Sequence, residues 1–105
     1  MNNNTKTIND LKVQFNEEGY LTNFEQWDIE VGEKIAKDHN IELSETHWDI
    51  ISWIQEQFKK EKELTLDTIL NTGISNLNEL KRLFTNDPLA ISTKIAGIPK
   101  QKQIK

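Results

Sequence analysis

Residues 44–60 read SETHWDIISWIQEQFKK, and they carry the strongest helical signal in the chain. Ser44 is a favourable N-cap, and the basic pair Lys59 and Lys60 falls at the negative end of the helix dipole. An apolar stripe at helical spacing lies between them, and its members are Ile50, Ile51, Ile54 and Phe58. The pattern predicts a helix from about residue 45 to residue 60 with one buried face.

Three shorter helices are predicted downstream of this one. The first spans about residues 65–71 and stops at Gly73. The second spans about residues 76–84. The third begins at Pro88, a residue suited to a first helical turn, and ends at Gly97. The residues expected to face the core are Leu66, Ile69 and Leu70 in the first helix, Leu77, Leu80, Leu83 and Phe84 in the second, and Leu89, Ile91 and Ile95 in the third.

Upstream of the long helix, residues 28–39 predict another helix. Val31 and Ile35 continue there the apolar spacing that Trp27 sets. A short turn before it can be capped by Asn23.

The N-terminal residues predict a β-hairpin. Residues 6–8 and 11–15 have strand character, and apolar residues alternate with polar ones in the second segment. Asn9 and Asp10 between them tolerate the positive φ of a tight turn.

The predicted fold class is therefore mainly α, formally α+β, with the N-terminal β-hairpin followed by an orthogonal bundle of four or five short helices. A chain of 105 residues fits a single domain, residues 1–105. Residues 1–4 are polar and expected to be frayed. Residues 100–105, called here the C-terminal arm, are polar except for Ile104, so we expect the arm to be flexible.

The composition bounds the class of protein. Hydrophobic residues make up 35% of the chain and charged residues 29%, which is typical of a folded, soluble domain. No apolar run approaches the roughly 20 residues that span a bilayer. The first residues carry no apolar stretch after their charge, so they do not read as a secretory signal and the cytoplasm is the expected location. Without cysteine, neither disulfides nor thiolate metal sites are expected.

The net charge of −4 is unevenly distributed. Residues 81–105 hold six basic residues against one acidic residue, a net charge of +5. Residues 1–80 hold seven basic against sixteen acidic residues, a net charge of −9. A basic end on an acidic body suggests that this end faces an acidic partner, although terminal lysines can also serve solubility alone.

Candidate catalytic residues are sparse. His39 and His47 lack a second metal ligand at helical spacing, and a helix-start or packing role is expected for His47. The carboxylates are scattered and read as solvated faces, and neither a GxSxG motif nor a glycine-rich phosphate loop is present. We therefore expect no enzyme activity, no metal site and no cofactor. The three tryptophans are expected to pack in the core.

Nucleic-acid binding is a further hypothesis, either through the basic C-terminal stretch or through a helix-turn-helix pair formed by residues 44–60 and 65–71. The second helix is poor in the side chains that read bases and carries Asp67. The acidic body also repels phosphates, so this hypothesis ranks last.

Several segments together resemble the DsrC/TusE family, which includes the gamma subunit associated with dissimilatory sulfite reductase and a sulfur-relay protein of tRNA thiolation. The resemblance covers about residues 6–104. It rests on Gly19-Tyr20-Leu21, Trp27, the stretch IELSETHW at residues 41–48, Arg82-Leu83-Phe84 with Pro88, and the stretch KIAGIPK at residues 94–100. The family implies a small helical fold whose arm carries sulfur on a penultimate cysteine between protein partners.

The chain departs from this family at the position that matters most. Gln103 stands where the resemblance places the carrier cysteine, and Thr93 stands where sulfite-reductase-associated members have a second cysteine. A carboxamide is not a nucleophile, and persulfide chemistry needs a thiolate. Thr65 and Thr68 replace a usual proline and a frequent arginine.

The resemblance implies binding to proteins of a sulfur-relay or sulfite-reductase system, and it leaves the oligomeric state open. The residues expected to bind the partner are Arg82, Lys94, Gly97, Pro99, Lys100 and Lys102. The leading hypothesis is a partner-binding accessory or regulatory member without sulfur transfer. The alternative is a working carrier in which Gln103 is an engineered or strain-specific change.

Overall fold

One antiparallel β-hairpin precedes five helices in the part of the chain that the structure, a computed structural model, describes: residues 4–8, 11–85 and 87–99. The elements in chain order are β1 Asn4–Ile8, β2 Leu11–Phe15, a 3-10 turn Phe24–Gln26, α1 Ile29–Asp38, α2 Glu45–Lys59, α3 Leu66–Leu70, α4 Leu77–Phe84 and α5 Pro88–Ile95. The predicted fold class, mainly helical with an N-terminal hairpin, is confirmed. Among the described residues, no helix is long and apolar enough to cross a membrane.

The hairpin has the register that the alternating pattern predicts. Val13 and Phe15 are buried, whereas Lys12 and Gln14, which alternate with them, are exposed. The first strand begins earlier than predicted, at Asn4, because Asn4 pairs with Phe15 at the far end of the ladder. Asn4 is therefore not frayed. The predicted turn residues 9 and 10, like residues 1–3, lie outside the described part.

Helix α2 follows the prediction closely. Ser44 caps it, and Ile50, Ile51 and Ile54 are at most 1% exposed, while Phe58 is half-buried at the end of the stripe. All three tryptophans are half-buried, and all three pack against the core. Their partial exposure fits an amphipathic indole, which buries its ring while part of the side chain remains accessible.

The helices after α2 begin and end at the expected signals. Thr65 and Thr68 cap α3 reciprocally, so the two residues that depart from the family pattern supply the start of this helix. Leu80 and Phe84 of α4 are fully buried, but the prediction for Leu77 is wrong: its side chain is 39% exposed. Leu77 is the first residue of α4 and lies at the outer end of the apolar stripe, where packing ceases.

Helix α5 is the element on which the others converge. It packs against α1, α2 and α4. Ile91 and Ile95 lie in the core, and burial continues past the helix through Ala96 to Ile98. The helix that leads to the C-terminal arm is therefore enclosed by the rest of the protein.

Candidate functional site

The segment between α5 and the C-terminal arm ends its helix in a Schellman motif. Gly97 has a φ of 80°. Its N–H donates to the carbonyl of Lys94 at 3.1 Å, and the N–H of Ile98 donates to the carbonyl of Thr93 at 3.0 Å. These are the two hydrogen bonds that define this motif. Gly97 thus ends α5 as the sequence predicts.

Two side chains from elsewhere in the chain satisfy the next two carbonyls. Trp27 donates its Nε1–H to the carbonyl of Ile95 at 2.8 Å. Gln55 of α2 donates through Nε2 to the carbonyl of Ala96, also at 2.8 Å. The last carbonyls of a helix have no intrahelical partner, and at this end two side chains take that place.

Trp27 also fixes its neighbours by shape. A Cβ placed on Gly97 would lie 2.3 Å from Cδ1 of Trp27, which is far closer than van der Waals contact allows. A Cβ on Gly32 would lie 3.1 Å from Cζ2 of the same indole. The indole therefore approaches two glycines closely, and a larger residue at either position would obstruct that approach.

An aromatic cluster supports the indole from outside the core. Phe24 stacks on Trp27 with ring centroids 6.5 Å apart and planes inclined by 9°. Phe58 packs against Phe24 at 5.3 Å, and the Nζ of Lys59 lies 5.8 Å from the centre of the Phe24 ring. The C-terminal end of α2 and the turn before α1 are joined by this cluster.

Lys94 is directed toward the turn after the hairpin. Its side chain is half-buried, and Nζ lies 5.2 Å from the centre of the Tyr20 ring, within range of a cation–π interaction. Lys94 also borders a cleft of about 270 Å³ whose other polar lining residues are Glu17, Glu18, Asp38 and His39. The side chain of Lys94 therefore lies against the Gly19-Tyr20 turn.

Thr93 is a buried residue of α5. It is 4% exposed, and its hydroxyl donates to the carbonyls of Leu89 at 2.8 Å and Ala90 at 3.0 Å. The threonine is thus bonded within its own helix.

The other residues predicted to bind a partner are spread out. Arg82 is exposed in the last turn of α4, and its guanidinium makes no ion pair or hydrogen bond with the described residues. Gly97 is buried, and Pro99 is half-buried. Lys100, Lys102 and Gln103 lie outside the described part of the chain. The role of all six residues in binding a partner stays a prediction, and so does the carrier position at Gln103.

His47 has a larger role than its sequence position indicates. Its Nδ1 accepts the N–H of Ser44 at 2.9 Å, which completes a capping box and confirms the predicted helix-start role. Its Nε2 lies 2.8 Å from the carbonyl of Leu83 in α4. Because Nδ1 accepts a backbone N–H and Nε2 faces a carbonyl, these two contacts assign the donor role to Nε2. The SxxH spacing signals the cap, but no local pattern indicates the bond to α4.

Among the residues that the structure describes, no three His, Asp or Glu side chains come together as metal ligands. Every buried side-chain nitrogen or oxygen in this part has a hydrogen-bond partner. The arrangement defines a small, mainly helical protein whose chain leaves the core through a fully capped helix end.

Comparison with known proteins assigns the family. Residues 7–104 match the sequence model of the DsrC like protein family, and the chain belongs to this family. The chain is 36% identical to a sulfurtransferase TusE of Buchnera aphidicola from Schizaphis graminum over 107 residues, covering 94% of this chain and 93% of the relative. It is 32% identical to a TusE of Photorhabdus laumondii over 97 residues, covering 85% and 87%.

Solved structures of DsrC share the fold. The solution structure of Allochromatium vinosum DsrC superposes with a TM-score of 0.87 at 27% identity, covering 98% of this chain and 99% of the other. The crystal structure of the oxidized gamma-subunit of the dissimilatory sulfite reductase from Archaeoglobus fulgidus gives 0.86 at 29% identity, covering 97% and 100%. The resemblance read from the sequence is confirmed.

Proposed function

We propose that this protein is an accessory or regulatory member of a sulfur relay, which binds a protein of a sulfur-relay or sulfite-reductase system without carrying sulfur itself. The observation that supports the proposal most is the combination of a fully capped end of α5 with a chain that contains no cysteine. The part of the fold that presents the arm is present, and the atom that would carry sulfur is not.

The chemistry of the arm supports binding without transfer. A persulfide forms on a thiolate, and neither the carboxamide of Gln103 nor the hydroxyl of Thr93 replaces a thiolate as sulfur acceptor. Thr93 is in addition buried and hydrogen-bonded within α5. Proteins named as sulfurtransferases are relatives of this chain, but its own part in a relay is proposed to be non-enzymatic. The proposed location is the cytoplasm, where the free thiols of a relay stay reduced.

Charge indicates what kind of surface the partner presents. Lys81 and Arg82 are exposed in the last turn of α4, which packs against α5. The C-terminal arm adds three lysines, and residues 81–105 together have a net charge of +5. An acidic surface on the partner would complement this end, since complementary potentials accelerate and orient association.

Competition with a cysteine-bearing TusE tests the proposal. A relay partner is first bound to that TusE, and this protein is then added in excess. We expect the full chain to displace TusE, and a chain ending at residue 99 to displace much less because it lacks the arm. Failure of the full chain to bind relay and sulfite-reductase proteins in direct pulldowns would exclude the proposed function.

A working carrier is the second candidate, and similarity to TusE over 94% of the chain favours it. In that case Gln103→Cys should restore persulfide loading by a sulfur donor, because the substitution supplies the missing thiolate at the carrier position. Mass spectrometry would detect the added sulfur, with Gln101→Cys as the control for a thiol elsewhere in the arm. If Gln103→Cys gains no sulfur, or gains no more than Gln101→Cys, the carrier hypothesis fails.

A further inference from the structure

The end of α5 is held by two residues that lie far from it in sequence. We propose that Trp27 and Gln55 are positioning residues that fix the point and direction from which the C-terminal arm leaves the body. The inference rests on the proposed function, in which that arm binds a partner, and it assigns to two body residues a part in that binding.

The hydrogen bonds at this end account for every one of the last carbonyls. The carbonyls of Ser92, Thr93 and Lys94 accept backbone N–H groups within the segment. Those of Ile95 and Ala96 accept side-chain donors from residues 68 and 41 positions away. Water could satisfy the last two carbonyls if ending the helix were the only requirement. Here α2 and the turn before α1 converge on two consecutive carbonyls.

Packing holds the same point from the other side. Ile98 follows the Schellman glycine and has no exposed surface. Gly97 lies against Trp27 so closely that the backbone there cannot shift toward the indole. Unwinding the last turn would therefore expose Ile98 and break both side-chain hydrogen bonds at once. The chain is anchored through residue 98.

The position of this anchor matters because the arm is short. Six residues, 100–105, extend at most about 20 Å from the anchor. A change in where the chain leaves the body would alter which points on a partner the arm can reach. Trp27 and Gln55 would then affect binding without contacting the partner.

Substitutions that remove these donors, compared with matched controls, separate positioning from general stability. Trp27→Phe keeps an aromatic ring beside Phe24 but loses the N–H, and Gln55→Glu keeps the shape of the side chain but cannot donate. The matched controls are Trp53→Phe and Gln57→Glu. Both control residues are half-buried in α2, and within the described residues neither side chain makes a hydrogen bond.

Spin labels measure the position of the anchor directly, since the chain has no cysteine of its own. One label is attached through Ser52→Cys on the exposed side of α2, and the other through Lys100→Cys at the start of the arm. We expect Trp27→Phe and Gln55→Glu to broaden or shift the distance distribution between the labels, and the two controls to leave it unchanged. Unchanged distributions in both test variants, or equal changes in the controls, would overturn the inference.

Hydrogen exchange on the unlabelled protein gives a second readout. The amides of Gly97 and Ile98 should exchange roughly tenfold faster in each test variant, the change expected when one hydrogen bond is lost. The amides of Ile50 and Ile54 in the middle of α2 should not change. Faster exchange throughout the protein would indicate general destabilisation and count against positioning. Neither readout uses a partner. The positioning inference can therefore fail while binding to a relay protein is observed, and binding can fail while positioning is observed.

Discussion

Both the backbone conformation and the packing at position 97 favour glycine. The positive φ of Gly97 is costly for any residue with a Cβ, and the space where that Cβ would lie is filled by the indole of Trp27. Gly73 shares the conformation, with a φ of 79°, but no atom lies within 4 Å of its would-be Cβ. Substituting each glycine in turn therefore separates the free-energy cost of the backbone conformation from the cost of steric crowding.

We expect Gly97→Ala to lower the free energy of unfolding by about 3 kcal/mol, the sum of a left-handed backbone and an overpacked contact. Gly73→Ala should cost only the conformational part, about 1 kcal/mol. Urea unfolding of both variants measures the difference. Equal losses would mean that Trp27 moves aside at little cost and that the contact does not hold the chain end.

At the scale of elements, the local signals in the sequence are sufficient for most boundaries. Ser44, Thr65 and Pro88 each lie at a helix start, because capping and proline geometry act within one turn. The prediction that Leu77 faces the core is wrong, because helical spacing identifies the apolar face of a helix but not how far the packed core extends along it.

The contacts between elements could not be predicted in this way. The bond from Trp27 to Ile95 spans 68 residues, and that from His47 to Leu83 spans 36. No periodicity or cap in either segment encodes its distant partner. The resemblance to a family identifies Trp27 and His47 as residues of a motif, and only the fold shows that both bind carbonyls of other helices. The position of the candidate site along the chain stays a prediction, and the side chains that hold the end of α5 are seen only in the fold.

At the scale of the whole molecule, charge is segregated along the chain. The first 80 residues have a net charge of −9 and the last 25 a net charge of +5. Long-range attraction between such an end and an acidic surface acts mainly on the rate of association and weakens as salt increases. The arm can therefore be examined through its charge while its length is preserved.

Replacing Lys100, Lys102 and Lys105 with glutamine should slow association with the relay partner by roughly tenfold at low salt, because electrostatic steering is lost. The dissociation rate should change less. The matched control replaces Lys59, Lys60 and Lys62 with glutamine. This variant loses the same charge, but at and just after the C-terminal end of α2. Stopped-flow association at two ionic strengths measures both variants. If the two triple variants slow association equally, net charge alone governs the encounter and the arm has no special part in it. If only the arm variant associates more slowly, and the difference disappears at high salt, the arm is the segment that meets the acidic surface.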